Sequence, residues 1–267
     1  MQQITDARIE AKRPPLLRLA FRPFFLLGTA FAVFAIIRWI WVLQGWISWQ
    51  GYLPAILWHA HEMLFGFVLA IVIGFLLTAV QTWTGIPGLR GSPLGFLVAS
   101  WFLARAVFWI SPEISWFAYW LPDILLITSA AYFLASPIAA RRQWKNLPFV
   151  PILLTFALLH SAFIYGLMTD SLQLARASLM SVFWLVLLLI SVMGARVIPF
   201  FTARRWQIEQ YREPQWLGMG LPLGFLVILI TQFLSPISIA AELRIGAELC
   251  LACGLSWRLY RGHHKNN

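Results

Sequence analysis

Apolar runs of about the length of a membrane span repeat along almost the whole 267-residue chain. A helix needs roughly 20 apolar residues to cross the hydrocarbon core of a bilayer, and about eight segments approach that length. We predict spans at residues 24–43, 59–80, 93–110, 116–135, 147–168, 177–200, 215–234 and 239–260. The last is the weakest because it contains Glu242, Arg244 and Glu248, so seven spans and one amphipathic segment is the alternative.

The composition predicts the same class of protein. The chain is 60% hydrophobic and only 11% charged, whereas an average soluble domain is about half apolar and about a quarter charged. Its 15 tryptophans suit a protein with two membrane–water interfaces, where indole rings concentrate. We therefore predict an all-α, polytopic transmembrane helix bundle that is surrounded by lipid.

The formal net charge of +10 does not indicate nucleic-acid binding, because lysines and arginines fall mainly between the apolar runs and form no binding motif. They concentrate in alternate loops, which places those loops and the N-terminus on the cytoplasmic side. We predict one transmembrane domain over 1–267, with a basic cytoplasmic segment at 1–22, membrane helices at 24–260 and a tail at 261–267.

Several ionisable residues lie inside the predicted spans, where burial of a charge is costly and usually functional. The predicted orientation places most of them in the outer half of the membrane: Arg38, His59, His61, Glu62, Arg105, Asp123 and His160. Arg196 belongs to the cytoplasmic half, where its side chain is expected to reach the interface. The other polar residues that we predict to be buried are Arg105, Asp123, Arg196 and Arg22.

The motif "WHAHEM" at 58–63 opens the second predicted span. On an α-helix His59 and Glu62 share a face, while His61 points to roughly the opposite side. Neutral imidazoles are ligands for copper and for haem iron, so His59 and His61 are the candidate metal ligands. The alternative is a polar cap at the start of a helix.

A second candidate ligand is His160, which stands alone in an apolar helix. His61 and His160 come from different helices at similar depth, as two axial ligands of a haem would. His160 could instead hydrogen-bond a carbonyl of a neighbouring helix. Arg38 and Arg105 are candidates to pair with Asp123, Glu62 or haem propionates. The candidate cofactor-binding residues are therefore His59, His61, Glu62, His160 and Arg38.

Three stretches together resemble the NnrS family of bacterial haem- and copper-containing membrane proteins linked to nitric oxide. They are "FRPFFLLG" at 21–28, "WHAHEMLFGF" at 58–67 with "GFLLTAVQTWTG" at 74–85, and "GARVIPFFT" at 194–202. Arg22 and Pro23 fall in the first stretch, and Arg196 and Pro199 in the last. Family members typically have about twelve spans, so this chain is expected to be a C-terminally shortened member or a fragment.

The resemblance implies a multi-pass protein of the bacterial inner membrane that binds haem, and copper as a second cofactor, in the response to nitric oxide and nitrosative stress, as in denitrification. It assigns no reaction. The sequence contains no recognisable hydrolase, kinase or dehydrogenase motif, which leaves a redox role through haem. Two alternatives are a proton-coupled transporter or channel that uses the His, Glu and Asp side chains, and a structural partner of a respiratory complex.

Overall fold

The computed structural model describes residues 13–51, 53–108, 115–207, 209, 214–234 and 238–264, without the side chains of 238–240 and 259–264. Over these residues the chain folds into helices and no strands, which confirms the all-α prediction. The longer helices are α1 (Phe21–Leu43), α2 (Ala55–Thr84), α3 (Ser92–Val107), α4 (Trp116–Ala140), α5 (Phe149–Met168), α6 (Leu172–Trp206), α7 (Gln215–Phe233) and α8 (Ser238–His264). Short 3₁₀ turns at Pro15–Arg18 and Trp144–Asn146 precede α1 and α5.

Each of these helices coincides with one of the eight predicted segments. In the described part of the chain, six are long and apolar enough to cross a membrane, namely α1, α2, α4, α5, α6 and α7. Helix α3 is a shorter apolar helix, and α8 carries the acidic residues that made its segment the weakest. The part of the predicted basic segment that precedes position 13 lies outside the described residues.

Contacts within the chain form two units, with the division between Leu179 and Met180. In the first unit α2 packs against α1 and α4, and α4 also packs against α3 and α5. In the second unit α7 packs against α8 around a buried apolar cluster: Leu217, Leu221, Phe225, Ile228 and Leu251. The single transmembrane domain and the cytoplasmic N-terminus stay predictions.

Small residues let α1 and α2 approach closely. A Cβ atom on Gly74 would lie 2.9 Å from the Cβ of Phe24 and 3.3 Å from the Cα of Phe21. Neither atom is the flexible end of a side chain, so the helices would have to move apart. Close approach at small residues increases van der Waals contact, which drives helix association where lipid replaces water.

We predict that Gly74→Ala destabilises the protein by about 1–3 kcal/mol, because the added methyl overfills a packed contact. The matched control is Gly246→Ala on α8, where a Cβ meets no atom within 4 Å and alanine favours the helix by up to about 1 kcal/mol. Thermal unfolding of both variants in detergent measures the difference. Equal midpoints would contradict the role given to Gly74.

Candidate functional site

The WHAHEM motif at 58–63 lies at a change in helix type. Helix α2 is α-helical over Ala55–His61, becomes a π-helix over Glu62–Val68, and returns to α-helix at Leu69. A π-turn widens the helix, redirects the following side chains and often marks a functional site. The Nε1 of Trp101 donates a 2.8 Å hydrogen bond to the carbonyl of Gly66 within this turn.

Gly66 also makes room for a charged group. A Cβ at this position would lie 2.5 Å from the ring of Phe31 and 2.9 Å from Nη1 of Arg105. The missing side chain therefore lets the guanidinium of Arg105 lie against the backbone of the π-turn. The widened turn and the glycine together bring α2 and α3 into contact at the site.

Four helices of the first unit contribute to one group of polar side chains, which we call the buried polar cluster. Its members are His61 and Glu62 from α2, Arg105 from α3, Asp123 from α4 and His160 from α5, and all five are buried. Asp123 follows Pro122, which lies inside α4 and interrupts its backbone hydrogen bonding. The cluster thus joins the helices that form the centre of this unit.

A chain of contacts runs through the two imidazoles. His61 Nδ1 lies 2.9 Å from Glu62 Oε1, and because a carboxylate only accepts, this nitrogen carries the proton. His61 Nε2 is then the nitrogen with the free lone pair, and it lies 3.4 Å from His160 Nδ1. On its other side His160 Nε2 is 3.9 Å from Asp123 Oδ2.

Arg105 connects the two ends of that chain. Its Nη2 donates a 2.5 Å hydrogen bond to Asp123 Oδ2, and its Nη1 is 3.3 Å from Glu62 Oε1. One arginine therefore faces two carboxylates. With both carboxylates ionised and the imidazoles neutral, the cluster carries a net charge of −1.

Aromatic rings enclose the imidazoles. The rings of Phe65 and Phe163 stack on His61 at centroid distances of 4.9 and 5.0 Å, and the ring of Phe108 lies 4.6 Å away. Phe65 also makes an edge contact with His160 at 5.0 Å. This shell lowers the local dielectric and so strengthens the electrostatic interactions inside it.

His59 and Arg38 lie outside this cluster. His59 is half-buried and stacks on Trp39 at 4.7 Å, while the guanidinium of Arg38 lies 4.9 Å from the ring of Trp49 and 4.7 Å from that of Trp58. The structure therefore separates the two histidines of the motif. Glu62 contacts the neighbouring His61, whereas the sequence placed it on the face of His59.

Two arginines that we predicted to be buried are exposed. Arg22 donates from Nη1 to the carbonyl of Pro15 at 3.1 Å, in the turn that precedes α1. Arg196 was placed near the end of a span that stops at residue 200, but α6 continues to Trp206, and the side chain of Arg196 faces outward. Neither belongs to the buried polar cluster.

The cluster contains a set of groups that fits a metal ion. His61, Asp123 and His160 each offer one ligand atom, and these atoms lie within 4.8 Å of one another. Asp123 Oδ1 and Glu62 Oε2 are buried and make no hydrogen bond within the described part of the chain. Two imidazoles and a carboxylate are ligands that copper, iron and zinc accept.

A haem between His61 and His160 does not fit the same packing. The facing nitrogens are 3.4 Å apart, and Phe65 lies within 5.0 Å of both imidazole rings. A porphyrin extends far beyond an imidazole in every direction of its plane and would overlap that ring. Among histidines whose side chains are described, His59 alone lies outside the cluster and remains as a candidate haem ligand.

Sequence patterns carried no signal for several contributors to the site. The support from Trp101 and Gly66 depends on a π-turn, and nothing in the apolar run "LFGFVLA" distinguishes that turn from α-helix. Nothing in the sequence distinguishes Phe65 and Phe163 from aromatic residues that face lipid or pack in a core. A clue to Gly66 was its position two turns from the histidines, where a glycine inside a helix signals close approach of another group.

The fold and the site define a class of protein: a polytopic helical membrane protein with a buried His/Asp/His group of potential metal ligands. The family model described as NnrS protein matches residues 15–266. The chain therefore belongs to the NnrS family, and is a membrane protein related to the nitric oxide response. Neither the curated proteins nor the solved structures contain a match to it.

We predict that Trp101→Phe destabilises the first unit by about 0.5–1.5 kcal/mol, because it removes a buried hydrogen bond to the Gly66 carbonyl. Trp144→Phe is the matched control, since the side chain of Trp144 is exposed. Hydrogen exchange of the α2 amides around the π-turn should accelerate in the first variant alone. Unchanged exchange would show that this hydrogen bond does not hold the turn.

Proposed function

We propose that this protein binds a copper ion in the buried polar cluster and acts in the nitric oxide response of a bacterium, in the inner membrane. The observation that carries the proposal is the approach of His61, Asp123 and His160 to within 4.8 Å. We choose copper among metals of similar ligand preference because the family resemblance of the sequence implies it.

Glu62 supports this proposal through the histidine beside it. By accepting the Nδ1 proton of His61 at 2.9 Å, its carboxylate fixes the tautomer in which Nε2 is free to bind a metal. Such a carboxylate–histidine pair orients the ring and raises the basicity of the ligand. His160 offers Nδ1 toward the same space, and Asp123 offers a carboxylate oxygen.

The aromatic shell suits the chemistry of nitric oxide. Phe65, Phe108 and Phe163 exclude water and ions from the imidazoles, whereas a small uncharged molecule can pass between such rings from the lipid. When bound, copper would supply the centre that binds or exchanges an electron with this molecule. The protein's part is to hold the two imidazoles and to keep water away.

Metal titration of the full chain in detergent tests the proposal. We expect about one copper ion per chain, and loss of binding in His61→Ala and in His160→Ala, since a metal with so few ligands does not tolerate removal of one. His59→Ala is the matched control and should retain the ion, because His59 lies outside the cluster. Equal binding by all four proteins would place the copper elsewhere.

Haem binding, which the family resemblance implies, is proposed here at His59 and not between His61 and His160. His59 is half-buried, and its Nδ1 makes no hydrogen bond within the described residues. Reduced-minus-oxidised spectra of protein made with ample haem should show haem bands that His59→Ala removes and His160→Ala retains. The absence of bands from the wild-type protein would end the haem proposal for this chain.

A second candidate function is proton transfer, favoured by the sequence of contacts from Asp123 through His160 and His61 to Glu62. Two imidazoles between two carboxylates can pass a proton without either ring gaining a lasting charge. Proton flux into liposomes that contain the metal-free protein, abolished in Asp123→Asn, would support this function. Flux equal to that of empty liposomes would exclude it.

A further inference from the structure

We propose that Arg105 makes the buried polar cluster selective for monovalent over divalent copper. The inference rests on the proposed function, because it assumes that copper binds there. Arg105 is a positioning residue: its guanidinium contacts the carboxylates of Glu62 and Asp123 and offers no lone pair to a metal. Its influence on the ion is therefore through charge and not through coordination.

The net charge of the buried polar cluster determines which copper ion makes it neutral. Within the cluster, ionised Glu62 and Asp123 contribute two negative charges and Arg105 one positive charge, which leaves −1. Arg38 lies outside the cluster but also interacts electrostatically with Glu62. A monovalent copper ion makes the cluster neutral, while a divalent ion leaves an excess charge of +1. Because the five side chains are buried, an uncompensated charge there is costly.

Arg105 is fixed in place by the surrounding backbone. Its Nη1 occupies the space that a side chain at position 66 would fill, 2.9 Å from the Cβ position of Gly66. Both of its carboxylate contacts are buried, so water does not screen the charge. The guanidinium therefore acts as a permanent positive charge beside the candidate ligands.

The two imidazole nitrogens that face each other also favour monovalent copper. His61 Nε2 and His160 Nδ1 face each other at 3.4 Å, and a small outward movement of either ring would admit an ion between them. Monovalent copper has a filled d shell and accepts two or three ligands, whereas divalent copper favours a tetragonal set of N and O ligands. The facing imidazoles, with Asp123 beside them, supply only a small set.

The test measures the copper midpoint potential of the full chain in detergent, by following the electron paramagnetic resonance signal of divalent copper during reductive titration. Arg105→Gln should shift the ratio of monovalent to divalent copper affinity by at least about tenfold toward the divalent ion, which lowers the midpoint by about 59 mV for one electron. Arg105→Lys should restore the wild-type ratio, since it returns the charge.

Glu62→Gln should shift the copper midpoint potential in the opposite direction to Arg105→Gln. Its amide oxygen still accepts the proton of His61 Nδ1, but one negative charge is removed, so the midpoint should rise. This variant and Arg105→Lys keep the test decisive if Arg105→Gln fails to fold. Arg176→Gln is the control, because it removes an exposed positive charge from the same unit and should leave the midpoint unchanged.

The outcomes separate the two proposals. Copper binding by the wild-type chain with tighter binding of the divalent ion would overturn the role of Arg105 and leave the copper site standing. A midpoint that falls in Glu62→Gln, or that moves away from the wild-type value in Arg105→Lys, would also overturn it. No copper bound in either oxidation state would overturn the proposed function together with this inference.

Discussion

The contact of one arginine with two carboxylates, buried within a bundle of apolar helices, is the interaction on which the first unit depends. Arg105 joins Glu62 of α2 to Asp123 of α4. Each of these charges alone would cost about 2.5–3.5 kcal/mol at the centre of a bilayer on insertion scales. Removing Arg105 would leave two buried carboxylates without a counter-ion, so these ion pairs hold the three helices in one arrangement.

That requirement also organises the packing around it. Gly66 leaves space for the guanidinium, Glu62 at the start of the π-turn contacts His61 and Arg105, and Trp101 supports the turn from α3. Apolar packing between helices in lipid is weakly specific, because lipid tails compete with side chains for the same contacts. Buried ion pairs and hydrogen bonds therefore determine how α2, α3 and α4 are positioned relative to one another.

The sequence predicted the helices well and the site only in outline. Runs of apolar residues locate membrane helices because the bilayer demands them, and the eight segments match α1 to α8. The direction of each span gives the depth of its residues in the membrane. That depth alone placed His61, Glu62, Arg105, Asp123 and His160 at a similar level. The contact between Glu62 and His61 was not predicted, because side chains of adjacent residues do not face each other on a regular helix. Arg196 was misplaced because Pro199 favours a helix end, whereas α6 continues through it to Trp206.

Metal binding and proton transfer, the two candidate functions of the cluster, cannot both use the space between His61 Nε2 and His160 Nδ1. Proton transfer requires a proton between His61 Nε2 and His160 Nδ1, and a metal ion held by the same two nitrogens takes that place. Metal binding would therefore break the chain of contacts between Asp123 and Glu62 at its centre. Glu62 contacts the far side of His61 in either case: it would orient the ring as a metal ligand, or receive the Nδ1 proton in a proton path. If both proposals hold, occupancy of the cluster by a metal ion would block the proposed proton path.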